Sequence, residues 1–146
     1  MPNRFSIAVM PWSDALPLAR PVRENVFIVE QGVPRELEWD DWDARSDHAV
    51  ALTSERKAIG TARLLPDGHI GRMAVLKDWR GQGVGSALFE ALLELARAKG
   101  MVAVALNAQT HAAGFYRRFG FRQEGKEFVE AGIPHVEMRL TLTPRA

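Results

Sequence analysis

The chain has 146 residues, 47% hydrophobic and 25% charged, the size and balance of one globular domain around one core. It contains no cysteine, which excludes disulfides, thiolate metal sites and cysteine nucleophiles. A net charge of +1 implies no general attraction to nucleic acid, no apolar run approaches the roughly 20 residues that span a bilayer, and residues 1–10 lack the basic region and apolar run of a signal peptide, so a cytoplasmic location is expected.

Taken in order, residues 4–9 alternate weakly and predict a first strand. Ser13 and Asp14 are suited to cap a helix that runs to about Gln31, and Pro17 and Pro21 predict that it is broken or kinked. Gly32, Val33 and Pro34 end it, and residues 36–45 read as a polar, tryptophan-containing loop or short helix. Between Glu30 and Asp47 there are seven acidic and two basic side chains, a local balance of −5, which predicts an end of the molecule that attracts cations. Residues 48–52 and 57–65 predict two strands, Pro66-Asp67-Gly68 a turn, and residues 69–75 the next strand.

Residues 84–99 form the clearest predicted helix, with Val84, Leu88, Leu92 and Leu95 at helical spacing and Gly100 as its stop. Residues 101–106 are an apolar run short enough for a buried strand. Residues 110–119 predict a second short helix closed by Gly120, and residues 127–130 and 136–142 two last strands. With no repeat or linker, this order predicts one α/β or α+β layered domain, spanning 1–146, around a mixed sheet.

The segment with chemical content is 72–86, where a strand ends, a short loop follows, and Gly81, Gly83 and Gly85 alternate into the strong helix. Glycines let backbone N–H groups approach a ligand, and a helix start adds free donors and a positive dipole end. Together they suit phosphate, with Arg80 beside them as a two-pronged cation. A P-loop would need a lysine before Ser86, and a dinucleotide-binding turn would need G-x-G-x-x-G directly after the strand. The same spacing also suits a glycine-rich helix start that binds nothing.

Arg80-x-x-Gly83-x-Gly85 resembles the R/Q-x-x-G-x-G/A motif of the GNAT acetyltransferases. Met73-Ala74-Val75 resembles that family's strand against the pantetheine arm, Asn107 closes the next strand, and residues 115–121, Phe-Tyr-Arg-Arg-Phe-Gly-Phe, resemble its FY…GF segment. Val26-Phe27, Glu30-Gln31 and Gly132-Ile133-Pro134-His135 are similar to the ElaA-like branch. The resemblance implies a single GNAT-like domain: a mixed, mostly antiparallel sheet flanked by helices and splayed between the strands ending at Val75 and Asn107. It implies acetyl-CoA as co-substrate, held in the splay by Met73, Ala74, Val75, Arg80, Gly81, Gln82, Gly83, Val84, Gly85, Ser86 and Asn107. A primary amine on a cationic small molecule is the expected acceptor, drawn by the acidic segment, and a homodimer is compatible with it. The alternatives are a protein or peptide acetyltransferase and an acyl-CoA-binding module without turnover.

The implied reaction is direct attack of an amine on a thioester. An amine with a pKa near ~10.4 is neutral in about one molecule in 2,500 at pH 7, so a base or a desolvated site must help. An N–H near Val75 is expected to meet the oxyanion, and the resemblance places Tyr116, the chain's one tyrosine, as proton donor to the leaving thiolate. Glu30, Glu36, Glu38 and His135 are expected around the acceptor, with the general base left open. The four histidines show no ligand-pair spacing, so no metal is expected.

Overall fold

The structure is a computed structural model that describes residues 4–142; the first three and last four residues of the expected span lie outside the described residues. Strand β1 (Phe5–Pro11) leads into helix α1 (Trp12–Arg23), which continues as a π-helical stretch, Glu24–Glu30. The expected break does not occur, although Pro17 and Pro21 both lie inside α1. Ala15, Ala19 and Val22 form a buried stripe against the sheet, and that packing holds the helix across the hydrogen bonds the prolines forfeit. Pro11 occupies the cap position, so Ser13 and Asp14 fall in the first turn.

Residues 36–45 resolve into two one-turn helices, α2 (Arg35–Glu38) and α3 (Trp42–Arg45). Strands β2 (Asp47–Thr53), β3 (Ala58–Leu64) and β4 (Ile70–Val75) follow. A 3-10 turn, Lys77–Trp79, precedes α4 (Val84–Ala98). Strand β5 (Ala103–Gln109), a 3-10 turn at Thr110–Ala112 and α5 (Ala113–Arg117) lead to the closing hairpin, β6 (Arg122–Glu130) and β7 (Ile133–Thr141). Asn107 therefore lies inside β5 rather than closing it, and the predicted second helix is one α-turn preceded by a 3-10 turn.

The strands form two antiparallel sheets, ordered β1-β2-β3-β4 and β5-β7-β6. They touch where β4 and β5 begin, through a parallel bridge between His69 and Ala105 in which the Ala105 N–H donates to the Gly68 carbonyl at 3.1 Å. Beyond that bridge β4 and β5 run on in parallel without pairing, which is the expected splay. What the hydrogen bonds leave open, α4 closes. Val84, Leu88, Phe89, Leu92, Leu93 and Ala96 are buried in one cluster with Ile59 and Leu64 of the first sheet and Leu106 and Met138 of the second. Each large apolar side chain so buried is worth about 1.5–3 kcal/mol, enough to join the sheets without a continuous ladder.

Candidate functional site

The glycine turn stands at the open end of the splay. Gly81 and Gly83 have φ of +77° and +85°, and a Cβ at either would meet nothing within 4 Å. Gly83 is the N-cap of α4 and no side chain caps that end, so the first-turn N–H groups keep their capacity for a ligand. Gly85 differs: it faces β4, and a Cβ there would sit in ordinary contact, 3.9 Å from Met73 Sδ and Val75 Cγ2. These features fit a pyrophosphate-bearing ligand such as coenzyme A.

Strand β4 is bent where it enters the splay. Thr61 pairs Ala74 and Arg63 pairs Gly71, so Arg72 and Met73 lie opposite the single residue Ala62, and Arg72 takes a φ of +50°. Beyond the bulge, the Leu76 N–H donates to the Ile59 carbonyl at 2.9 Å. Antiparallel alternation then turns the N–H and C=O of Val75 away from β3, and Arg80 Nε donates to that carbonyl from outside at 2.9 Å.

A cleft of about 670 Å³ opens between β4 and β5 and takes in Met73, Asn107, Tyr116 and His135. Tyr116 packs its ring against Phe89 and Phe115, and burial pushes its hydroxyl up to about 12. His135 is 7% exposed; its Nδ1 lies 2.7 Å from the Ile133 carbonyl and Phe128 stacks on its ring. Asn107 shares the cleft with Gln109, two residues along the same strand face.

The acidic segment is not the cation-attracting end its local charge predicts. Arg23, 1% exposed, holds Glu38 and Asp43, each at 2.7 Å. Arg63 holds Asp40 at 2.7 Å and Asp43 at 2.8 Å, and Arg72 reaches Glu38 at 3.5 Å and Asp40 at 3.4 Å. Arg80 pairs Glu30 at 2.9 Å and Lys99 pairs Asp47 at 3.0 Å. Five cations from elsewhere in the chain thus cancel the excess of five acids. Burial raises the Glu38 carboxyl above its ordinary value, against the pull of Arg23. Burial also works to raise Asp40, but the hydrogen bonds and charge of Arg63, with Arg72, outweigh it and hold that carboxyl low. His48 is buried against the Asp43 carbonyl, and desolvation lowers its pKa.

Of the residues expected around the acceptor, Glu38 and His135 line the cleft; Glu36 is exposed and outside its lining, and Glu30 is paired to Arg80. Arg80 is thus engaged, in a half-exposed ion pair of a kind worth about 0–1 kcal/mol. The buried network was missed. Its signal was present: Arg23 falls on the same helical face as Ala15, Ala19 and Val22, and Arg63 falls inside the apolar strand 58–64. A charge on a buried face implies a partner, and the acidic segment is the obvious source. Among the described residues, no group of three or more His, Cys, Asp or Glu side chains is placed to hold a metal ion.

A family model described as "Acetyltransferase (GNAT) domain" matches residues 18–142, which include the glycine turn, Tyr116 and His135. The uncharacterised N-acetyltransferase YjcF of Bacillus subtilis is 43% identical over 121 residues, 80% of this chain and 86% of that protein. The UPF0039 protein C11D3.02c of Schizosaccharomyces pombe is 35% identical over 127 residues, 83% of this chain and 84% of that one. Among solved structures, an acyl-CoA N-acyltransferase from Pseudomonas aeruginosa superposes with a TM-score of 0.83 at 30% identity, covering 92% of this chain and 98% of that one. Escherichia coli ElaA gives 0.82 at 28% identity, with the same coverage of both chains.

Proposed function

Because the chain belongs to the GNAT acetyltransferase family, and with it to the acyl-CoA-dependent N-acetyltransferases, we propose that its donor is acetyl-CoA and its acceptor the primary amine of a small molecule. One observation carries the reading: an open, uncapped glycine turn stands at the end of the splay whose cleft holds Tyr116. The N–H groups of Gly83, Val84, Gly85 and Ser86 hold the pyrophosphate, and Arg80 exchanges Glu30 for phosphate. Bound there, acetyl-CoA supplies the activated acyl group. Val75, whose N–H is turned out of the β3 ladder, donates to the oxygen that becomes negative. Tyr116 donates its hydroxyl proton toward the departing sulfur, in a ternary complex without an acyl-enzyme. The same reading makes residues 1–146 one such domain and the cytoplasm its location.

The cleft supports a small acceptor, since about 670 Å³ lies in the range that encloses single small molecules. With the acidic segment neutralised, a polycation has no special advantage. The test is thiol release from acetyl-CoA across a panel of small amines and lysine peptides. Release with small amines is the expected result. Release confined to peptides, or none despite tight acetyl-CoA binding, overturns the reading.

A further inference from the structure

We propose that His135 is the general base that deprotonates the acceptor amine, and that Glu130 holds the acceptor's ammonium beside it; this rests on the acyl-transfer reading above. The argument begins with the hairpin. Ala131 and Gly132 have φ of +51° and +77°, a two-residue turn with both residues left-handed, and it pairs Glu130 directly with Ile133. The register then sets His135 between Phe128 of β6 and Gln109 of β5, facing the cleft.

Two contacts fix the imidazole and leave its second nitrogen facing the cleft beside Glu130. A carbonyl oxygen only accepts, so the 2.7 Å contact to Ile133 places the proton on Nδ1 and leaves the lone pair on Nε2. Phe128 stacks on the ring with centroids 5.8 Å apart and planes 23° apart, which sets its plane. Nε2 lies 3.7 Å from Glu130 Oε2, too far for a direct hydrogen bond and close enough for one ammonium nitrogen to reach both. A histidine with its distal nitrogen oriented by a backbone acceptor is the arrangement a general base requires.

The surrounding charges single out Glu130. Glu38, Asp40, Arg63 and Arg72, the charged groups on the β3–β4 side of the cleft, are bound in their own network. His69 is held by Asp67 at 3.0 Å and faces Glu137 at 4.0 Å. Among the described residues Glu130 has no arginine or lysine partner, and its side chain is 51% exposed at the cleft wall.

The step balances as follows. The ammonium gives one proton to His135 Nε2, and the resulting imidazolium is stabilised by Glu130. The neutral nitrogen attacks the acyl carbon; the C–N bond forms and the C–S bond breaks. The sulfur takes a proton from Tyr116, and the second nitrogen-bound proton lost as the amide forms restores that hydroxyl. His135 returns its proton to water. Amine in its protonated form plus thioester gives amide, thiol and one proton.

The experiment uses the full chain and the best amine from the panel. Calorimetry first measures acetyl-CoA binding; a wild-type chain that binds none overturns the acyl-transfer reading itself. His135→Gln should lower kcat/KM by about 10²–10⁴-fold at pH 7 with acetyl-CoA affinity unchanged. The variant's kcat/KM should climb with pH toward the amine's own pKa, so that its deficit against the wild type shrinks tenfold per pH unit. Glu130→Gln, at a half-exposed position, should weaken calorimetric amine binding about tenfold to a hundredfold whether or not His135→Gln folds. A His135→Gln enzyme with the wild-type pH profile, or a Glu130→Gln chain with unchanged amine affinity, overturns the proposal.

Discussion

A phenol pushed up to about 12 is a weak acid toward a thiolate, and that decides what Tyr116 can do. Thiols ordinarily titrate near 8.5, so complete transfer even to the free thiolate would run uphill by roughly 5 kcal/mol unless the nitrogen's proton restores the hydroxyl at the same time. The hydroxyl therefore acts as a donor to charge that develops during cleavage. Removing it should lower kcat and kcat/KM together, at the low end of the 10²–10⁴ range for acid catalysis. The ring remains among Phe89, Phe115 and Phe121, so Tyr116→Phe should leave the melting temperature nearly unchanged. Burial favours the protonated form, and the proton stays on until the pH approaches about 12. Wild-type enzyme should accordingly show no limb from this residue between pH 7 and 10. A pH–rate profile with a basic limb in that interval, absent from Tyr116→Phe, would contradict the assignment. The residue itself was legible from its motif. Its acidity was not, because the burial comes from side chains on α4, α5 and the loop after it.

Helix α4 carries left-handed glycines at both ends, Gly83 at φ +85° and Gly100 at φ +78°, and a Cβ at either would meet nothing within 4 Å. Each Gly→Ala substitution should cost the same backbone strain, about 1–2 kcal/mol. Only Gly83 stands at the splay. Gly83→Ala should thus weaken acetyl-CoA at least tenfold, while Gly100→Ala, with a similar fall in melting temperature, should bind it normally. Calorimetry and thermal melts of the pair check this; equal affinities would remove the glycine turn from the binding site. The turn and α4 were legible because their signals are local: alternating glycines, then apolar spacing. Elements set by tertiary contacts were read less well. The strand β6 begins at Arg122 instead of residue 127 because it is an exposed edge strand, and the register slips between Glu124 and Phe128 around Gly125. Neither alternation nor an apolar run marks it. In α1, packing against the first sheet overrode the prolines.

For the whole molecule, the decisive event is the neutralisation of the acidic segment. Runs of charge are legible in sequence as composition, but their partners are not, because Arg23, Arg63, Arg72, Arg80 and Lys99 reach the segment only through the fold. Arg23 is the keystone: it ties α1 to α2 and α3, and Trp39 and Trp12 lie 4.6 and 5.5 Å from its guanidinium carbon. Removing one partner from a buried ion pair leaves an uncompensated charge and costs about 3–5 kcal/mol. Arg23→Met keeps the volume and removes the charge, so at pH 7 the chain should melt roughly 6–20 °C lower. The deficit should also depend on pH. Burial already raises the Glu38 carboxyl, and Arg23 is the largest influence opposing that rise. Without it the folded pKa climbs further above the unfolded one. A group shifted in that direction gives its stabilisation below the unfolded pKa and loses it as pH rises through the folded value. The variant should therefore recover part of its deficit between pH 7 and pH 5. Asp40, shifted down without any part played by Arg23, loses stabilisation as pH falls in both proteins and leaves the difference intact. His48 is lowered chiefly by burial and in part by Arg23, so in the variant it is depressed less, loses less stabilisation as pH falls, and adds to the recovery. Paired melts at the two pH values decide it: a gap that stays constant or widens toward pH 5 would mean that the cost lies in packing against the two tryptophans and not in the stranded carboxylates.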